Sequence, residues 1–238
     1  MTYNILAINP GHNGSAALII DGKTEIYIEE ERLSRMKYDG NPYKGMIDIM
    51  NDHRIDELVI AGTGQDEHKL PWTLEDSYSA LVRKFYPEVK ITKIGHEHHL
   101  GHAATAFYNS GFETATAIVV DGAGSKHDLK LHKDPDNDER AEGFECESIW
   151  NCSYPHKIEP IFKSYGNNDG GMKMSSQFQG IFDDAVTLTK SYEAVSMYLG
   201  FGFIEAGKTM GLAPYGEDDK NIPPLFHNGR GSKNVFIP

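Results

Sequence analysis

One pattern constrains this chain more than any other, because it occurs twice: an apolar run closed by a glycine-bearing turn, then further strand-like runs. The first copy is Ile5–Asn9 running into Pro10-Gly11-His12-Asn13-Gly14. Ser15–Ile20 and the alternating Glu25–Glu29 follow, joined across the hairpin dipeptide Asp21-Gly22. Together they read as an antiparallel meander. The period then changes. Residues 43–52 carry Met46, Ile47, Ile49 and Met50 at helical spacing, Leu58–Ala61 is a brief β run, and Leu74–Tyr86 is helical again. Val89–Ile94 alternates as a strand, and His98–Tyr108 suits a helix stopped by Gly111. Ala115–Val120 then restarts the pattern and closes in Asp121-Gly122-Ala123-Gly124. Leu129–His132 and Glu145–Trp150 offer the next strands around a polar loop at Lys133–Gly143, and Phe182–Leu199 offers a helix.

The order β-β-β-α-β-α-β-α is the ribonuclease-H-like arrangement, an α/β lobe with a mixed sheet. Its repetition predicts duplicated lobes, the plan of the actin and sugar-kinase superfamily, over residues 1–113 and 114–238. In that plan the turns after the first strand of each lobe face one another and grip a nucleotide's phosphates. The second lobe is expected to be incomplete. After Leu212 come Pro214, Gly216, Pro223, Pro224, Gly229 and Gly231, and only Phe236-Ile237-Pro238 reads as a further strand. A fragment, a split subunit or a truncated member is the expectation.

Composition narrows the function classes. A chain of 238 residues with 39% hydrophobic side chains builds a real core rather than a disordered coil. A net charge of −12 argues against nonspecific binding to nucleic acid or to an anionic membrane, though not against a local basic pocket. Cys146 and Cys152 do not form a CxxC pair. No signal peptide and no stretch of about 20 apolar residues is evident, so a cytoplasmic protein without a membrane span is expected.

Four of the 11 histidines fall between His96 and His102. At positions i and i+4 of a helix, His98 and His102 project on one face and can share a metal ion. Imidazole pairs suit Fe, Zn, Ni or Cu, and such sites add a carboxylate and open positions. In His98-His99-Leu100-Gly101-His102 the glutamate of an HExxH protease is missing. Glycines after a strand let backbone N–H groups approach phosphate, and an Asp there can hold Mg2+. That chemistry marks Asp121, Gly122 and Gly124 in the second turn, and Gly11 and Asn13 in the first. His12, in a turn between strands, can serve as general base for an alcohol. The charge run Glu29–Lys37 reads as a solvated face, whose Arg32, Arg35 and Lys37 could alternatively reach an anionic substrate. Glu205–Gly216 is like a P-loop only superficially.

Six segments, GHNGSAALI (11–19), EEERLSRMKYD (29–39), HHLGHAATAFYNSGF (98–112), VVDGAG (119–124), YLGF (198–201) and GKTMGLAPYG (207–216), stand in an order that resembles the nodulation- and antibiotic-type O-carbamoyltransferases. The resemblance covers the N-terminal part of proteins normally more than twice this length. It implies a duplicated domain that moves a carbamoyl group onto a substrate hydroxyl. The donor is a carbamoyl-adenylate that a C-terminal, YrdC-like domain makes from carbamoyl phosphate and ATP. Carried over by motif, His98 and His102 look like two ligands of a metal, usually iron. His12 matches the base for the acceptor hydroxyl, and Asp121, Gly122 and Gly124 match the second phosphate turn.

Two departures follow from the same resemblance. The family commonly has Asp where this chain has Asn13, which puts the carboxylate that orients the base in question. The third metal ligand, an aspartate in the later half of the duplicated domain, and the Gly-rich adenine site are expected beyond Pro238, so the chain is expected to need a C-terminal segment or subunit. Two alternatives stand beside this reading. One is a relative of the tRNA threonylcarbamoyl transferases, which share the fold and the paired histidines. The EEER-to-KYD segment and the GLAPYG ending favour the O-carbamoyltransferases over them. The other alternative is a non-catalytic nucleotide- or partner-binding remnant. The acceptor, whether sugar, antibiotic or nucleoside, is not legible.

Overall fold

A computed structural model describes residues 2–62, 76–130, 140–166, 188–202 and 205–221. It is mixed α/β, with two sheets, and divides into two compact units, Met1–Gly101 and His102–Pro238. The dividing line falls inside one helix, His98–Ser110.

The first unit is built on a five-stranded sheet. Its strands are β1 (Asn4–Asn9), β2 (Ser15–Ile20), β3 (Lys23–Glu29), β4 (Glu57–Ile60) and β5 (Lys90–Lys93), in the spatial order β3-β2-β1-β4-β5. The meander β1–β3 is antiparallel, whereas β4 lies parallel to β1 and β5 parallel to β4. Period-two burial explains the register. Leu6 and Ile8 of β1 stand opposite Leu18 and Ala16 of β2, and opposite Leu58 and Ile60 of β4. All six point into a core shared with Met46 and Ile49 of α2 (Tyr43–Asp52) and with Tyr78 and Val82 of α3 (Ser77–Phe85). Each fully buried Leu or Ile contributes about 1.5–3 kcal/mol.

Helix α2 has the bounds that its spacing predicts, and β2 likewise. The helix expected from Leu74 is described from Ser77, after Asp76 accepts the Ser79 amide at 2.8 Å as its N-cap; residues 74 and 75 lie outside the described residues. Helix α1 (Glu30–Ser34) was not anticipated, since its charges read as a solvated face. Glu30 is in fact buried, and its carboxylate accepts the amides of Lys44 and Gly45 at 3.1 and 3.0 Å. It thereby serves the N-terminus of α2, where Pro42 offers no side-chain cap.

Helix α4 (His98–Ser110) leads into the second sheet. There β6 (Thr114–Val120), β7 (Lys126–Lys130) and β9 (Lys157–Gly166) each pair antiparallel with the 14-residue β8 (Arg140–Ser153). The polar loop expected over Lys133–Gly143 is shorter at its far end, because β8 already begins at Arg140. Trp150, Cys146 and Cys152 of β8 and Ala117 and Val119 of β6 are buried. Helices α5 (Leu188–Tyr198) and α6 (Ala206–Leu212) follow, tied by a buried Thr209–Ser196 hydroxyl pair at 2.7 Å. Residues 182–187 of the expected helix and the strand expected at 236–238 lie outside the described residues. Among those described, no helix is long and apolar enough to cross a membrane.

Candidate functional site

Pro10–Gly14 links β1 to β2 and is braced by a second loop, residues 36–40. Gly11 N–H donates to the Gly40 carbonyl at 2.9 Å, and Gly14 N–H to the Asp39 carbonyl at 2.8 Å. The approach is so close that a Cβ on Gly14 would lie 2.7 Å from the Gly40 carbonyl carbon. His12, at the apex, is exposed. Its neighbour Asn13 donates from Nδ2 to Glu31 Oε2 at 3.1 Å. The same carboxylate accepts Lys37 Nζ at 2.9 and 3.1 Å and the Tyr38 amide at 3.1 Å. The Lys37 hydrogen bond first, and the Tyr38 amide next, hold the Glu31 carboxyl below its ordinary range. Lys37 and Arg32 thus sit beside carboxylates of their own run, with Arg32 3.5 Å from Glu29.

His98 opens α4 with Nδ1 3.3 Å from the Gly62 carbonyl. A carbonyl only accepts, so this contact places the proton on Nδ1 and the ring's lone pair on Nε2. Gly62 itself has φ 107°, and a Cβ there would sit 3.1 Å from the Pro10 carbonyl oxygen. The partner of His98 therefore lies against the start of the His12 turn. His102 follows one helical turn later on the same face. The third member is Asp121, at the end of β6. Its amide donates to the Cys146 carbonyl at 2.8 Å, its carbonyl accepts Thr189 Oγ1 at 2.8 Å, and its Oδ1 accepts the Gly122 amide at 2.7 Å. His102 Nε2 stands 4.0 Å from Asp121 Oδ2.

The ligand atoms of His98, His102 and Asp121 all lie within 4.8 Å of one another. An ion about 2.1 Å from each ligand holds its ligands about 3.5 Å apart, so small side-chain adjustments suffice for all three to reach one ion. Two imidazoles and a carboxylate are a donor set for a divalent transition metal with positions left open. Spacing alone points to the histidine pair; from the sequence, Asp121, 19 positions beyond His102, reads as part of a phosphate turn that can hold Mg2+ and not as their partner. His99 is buried and His96 exposed, and neither belongs to this group.

The expected phosphate turns are both well ordered by internal bonds. The Gly11 amide is engaged with Gly40, that of Gly122 with Asp121, and that of Gly124 with the Glu145 carbonyl at 2.8 Å. Behind the second turn, the buried Glu145 carboxylate meets Lys163 Nζ at 2.6 Å and His127 Nε2 at 3.5 Å. Farther on, Gly202-Phe203-Ile204-Glu205-Ala206-Gly207-Lys208-Thr209 does meet the GxxxxGK[ST] spacing, a closer likeness than Glu205–Gly216 alone suggests. Its setting differs from a P-loop, which follows a strand. This one follows helix α5, and Lys208 is paired with Glu205.

Residues 74–233 match the protein family described as carbamoyltransferase N-terminus. The chain is also similar to the nodulation protein NolNO of Sinorhizobium fredii, with 26% identity over 87% of this chain and 28% of that protein. An uncharacterized protein of Synechocystis, sll1178, is 24% identical over 87% of this chain and 33% of its own length. The chain thus spans about a third or less of these relatives.

Proposed function

Because the chain belongs to the carbamoyltransferase N-terminus family, we propose that it is the metal-bearing, acceptor-side part of an O-carbamoyltransferase acting in the cytoplasm. The observation that carries this reading is the convergence of His98, His102 and Asp121. The fold supports it. In each sheet the first three long strands along the chain lie in the order third-second-first, β3-β2-β1 and β9-β8-β6, which favours duplicated ribonuclease-H-like lobes over 1–113 and 114–238.

In this reading the donor is carbamoyl-adenylate, made from carbamoyl phosphate and ATP by a C-terminal segment or subunit. His12 takes the proton from the acceptor hydroxyl, the oxygen bonds to the carbamoyl carbon, and the bond to the phosphate oxygen breaks to release AMP. His98, His102 and Asp121 would hold iron(II) or a similar divalent ion, which would supply Lewis acidity for the charge that develops on the carbamoyl oxygen. The Gly62 carbonyl orients the His98 ring by holding Nδ1–H. Gly11 and Asn13 in the first turn, and Gly122 and Gly124 in the second, are each candidate contacts for the adenylate phosphate, with Mg2+ a candidate companion to ATP. The acceptor is a small molecule, sugar or nucleoside bearing a free hydroxyl.

The test pairs metal content with carbamoyl phosphate-dependent conversion of ATP to AMP. Both are measured for the chain alone and with a carbamoyltransferase C-terminal polypeptide added. Bound iron in both preparations, with turnover only in the second, is expected. Failure of either preparation to bind any divalent transition metal would remove the reading.

A further inference from the structure

The bracing of the His12 turn stops short of its apex. The amides of Gly11 and Gly14 fix its two ends to the 36–40 loop, but His12 makes no hydrogen bond among the described residues. Among the described residues, the side chain that bonds at the apex is that of Glu31. Glu31 accepts Asn13 Nδ2, and by accepting Lys37 Nζ and the Tyr38 amide it is fixed to the neighbouring loop. The Glu31 side chain is 9% exposed and that of Lys37 66%, so the carboxylate is the inner end of the junction and the ammonium its solvent side.

We infer that Glu31 is a positioning residue for His12, tethering the apex of its turn through Asn13. The inference rests on the role proposed above for His12, and it supplies the carboxylate that Asn13 itself lacks. A general base must be held to within about 0.5 Å to act well. A misplacement of about 1 Å costs on the order of 100-fold in rate. An exposed histidine with no bond of its own inherits its position from its neighbours, and of His12's two neighbours only Asn13 has a side-chain tether. Glutamine at position 31 keeps the shape but loses the charge that gathers three donors, and its amide turns an N–H2 toward one of them.

The experiment compares Glu31→Gln and Glu31→Asp with the natural residue in the complete transferase. It reads kcat, KM for carbamoyl phosphate, bound metal and amide exchange along residues 11–14. Glu31→Gln is expected to lower kcat by about 10- to 100-fold. KM and metal content should stay unchanged, and exchange should quicken at the hydrogen-bonded amides of Gly11 and Gly14 but not at Leu6 or Leu18. Glu31→Asp, which keeps the charge, should recover part of the rate. An unchanged kcat in Glu31→Gln overturns the inference, as does a loss that merely follows the unfolded fraction in a thermal scan. Full rate in His12→Ala would instead sink the base assignment, while faster exchange at Gly11 and Gly14 in Glu31→Gln would still register the tether.

Discussion

The two turns that close the first strand of each sheet are alike in sequence and unlike in how they are held. Pro10–Gly14 leans on another loop, and its apex hangs from Glu31. Asp121–Ser125 leans on a strand. Asp121 and Gly124 donate to β8 carbonyls, and Ser125 exchanges both of its backbone groups with Glu145, its carbonyl taking the Glu145 amide and its own amide reaching the Glu145 carboxylate at 3.4 Å. Each turn thus has its glutamate, but Glu145 is buried against Lys163 whereas Glu31 faces an exposed lysine. The contrast suits the proposed roles. A metal ligand gains from a partly buried turn bound to a strand, whereas a base that must meet an acceptor sits at an exposed apex and depends on its tether to Glu31 for position.

The sharpest way to break this comparison is Glu145→Gln. Removing one partner of a buried ion pair costs about 3–5 kcal/mol. Urea unfolding should report a loss of that order, against almost none for Glu31→Gln; equal losses would erase the distinction. Next comes Asp121→Ala. It should lower metal affinity by about 100-fold or more, since even outer-shell changes cost 10- to 100-fold. Metal titration monitored by elemental analysis checks this, and far-ultraviolet circular dichroism should be unchanged. The smallest effect belongs to Asp76 in the first unit. Burial pushes its carboxyl up, but the Ser79 amide, Lys93 at 2.9 Å and the Ser79 hydroxyl outweigh burial and leave it below the ordinary value. A depressed carboxyl stabilises above its unfolded-state pKa, and the contribution fades as pH falls through the folded value. Asp76→Asn should therefore cost about 1 kcal/mol near neutrality and progressively less below about pH 4. A difference that grows on acidification would refute the assignment.

Much of this was legible in the sequence, and the exceptions have physical causes. The strands of the first sheet announce themselves because one face of each is apolar, and α2 because its apolar residues recur at helical spacing. Strand β9 was missed. Lys157–Gly166 carries Pro160, which has no amide to give a ladder; it is accommodated opposite Trp150 at a bulge. Helix α1 was missed because its charges hid one buried carboxylate, Glu30. The candidate site was half legible. The spacing of His98 and His102 is a local signal that any helix would honour. Asp121 stands 19 positions beyond His102, past the end of β6, and no periodicity links residues so far apart in the chain.

Every strand pairing described in the second sheet includes β8, whereas the first sheet is a simple row of neighbours. In the language of networks, one is a hub with spokes and the other a path. A path loses its ends one at a time, as edge strands fray. A hub fails all at once. Opening β8 would release β6, β7 and β9 together, and with them the backbone bonds that hold Asp121 and Gly124 in place. Substitutions along Glu145–Cys152 should therefore act on the candidate metal site from a distance, as a single switch rather than a graded loosening.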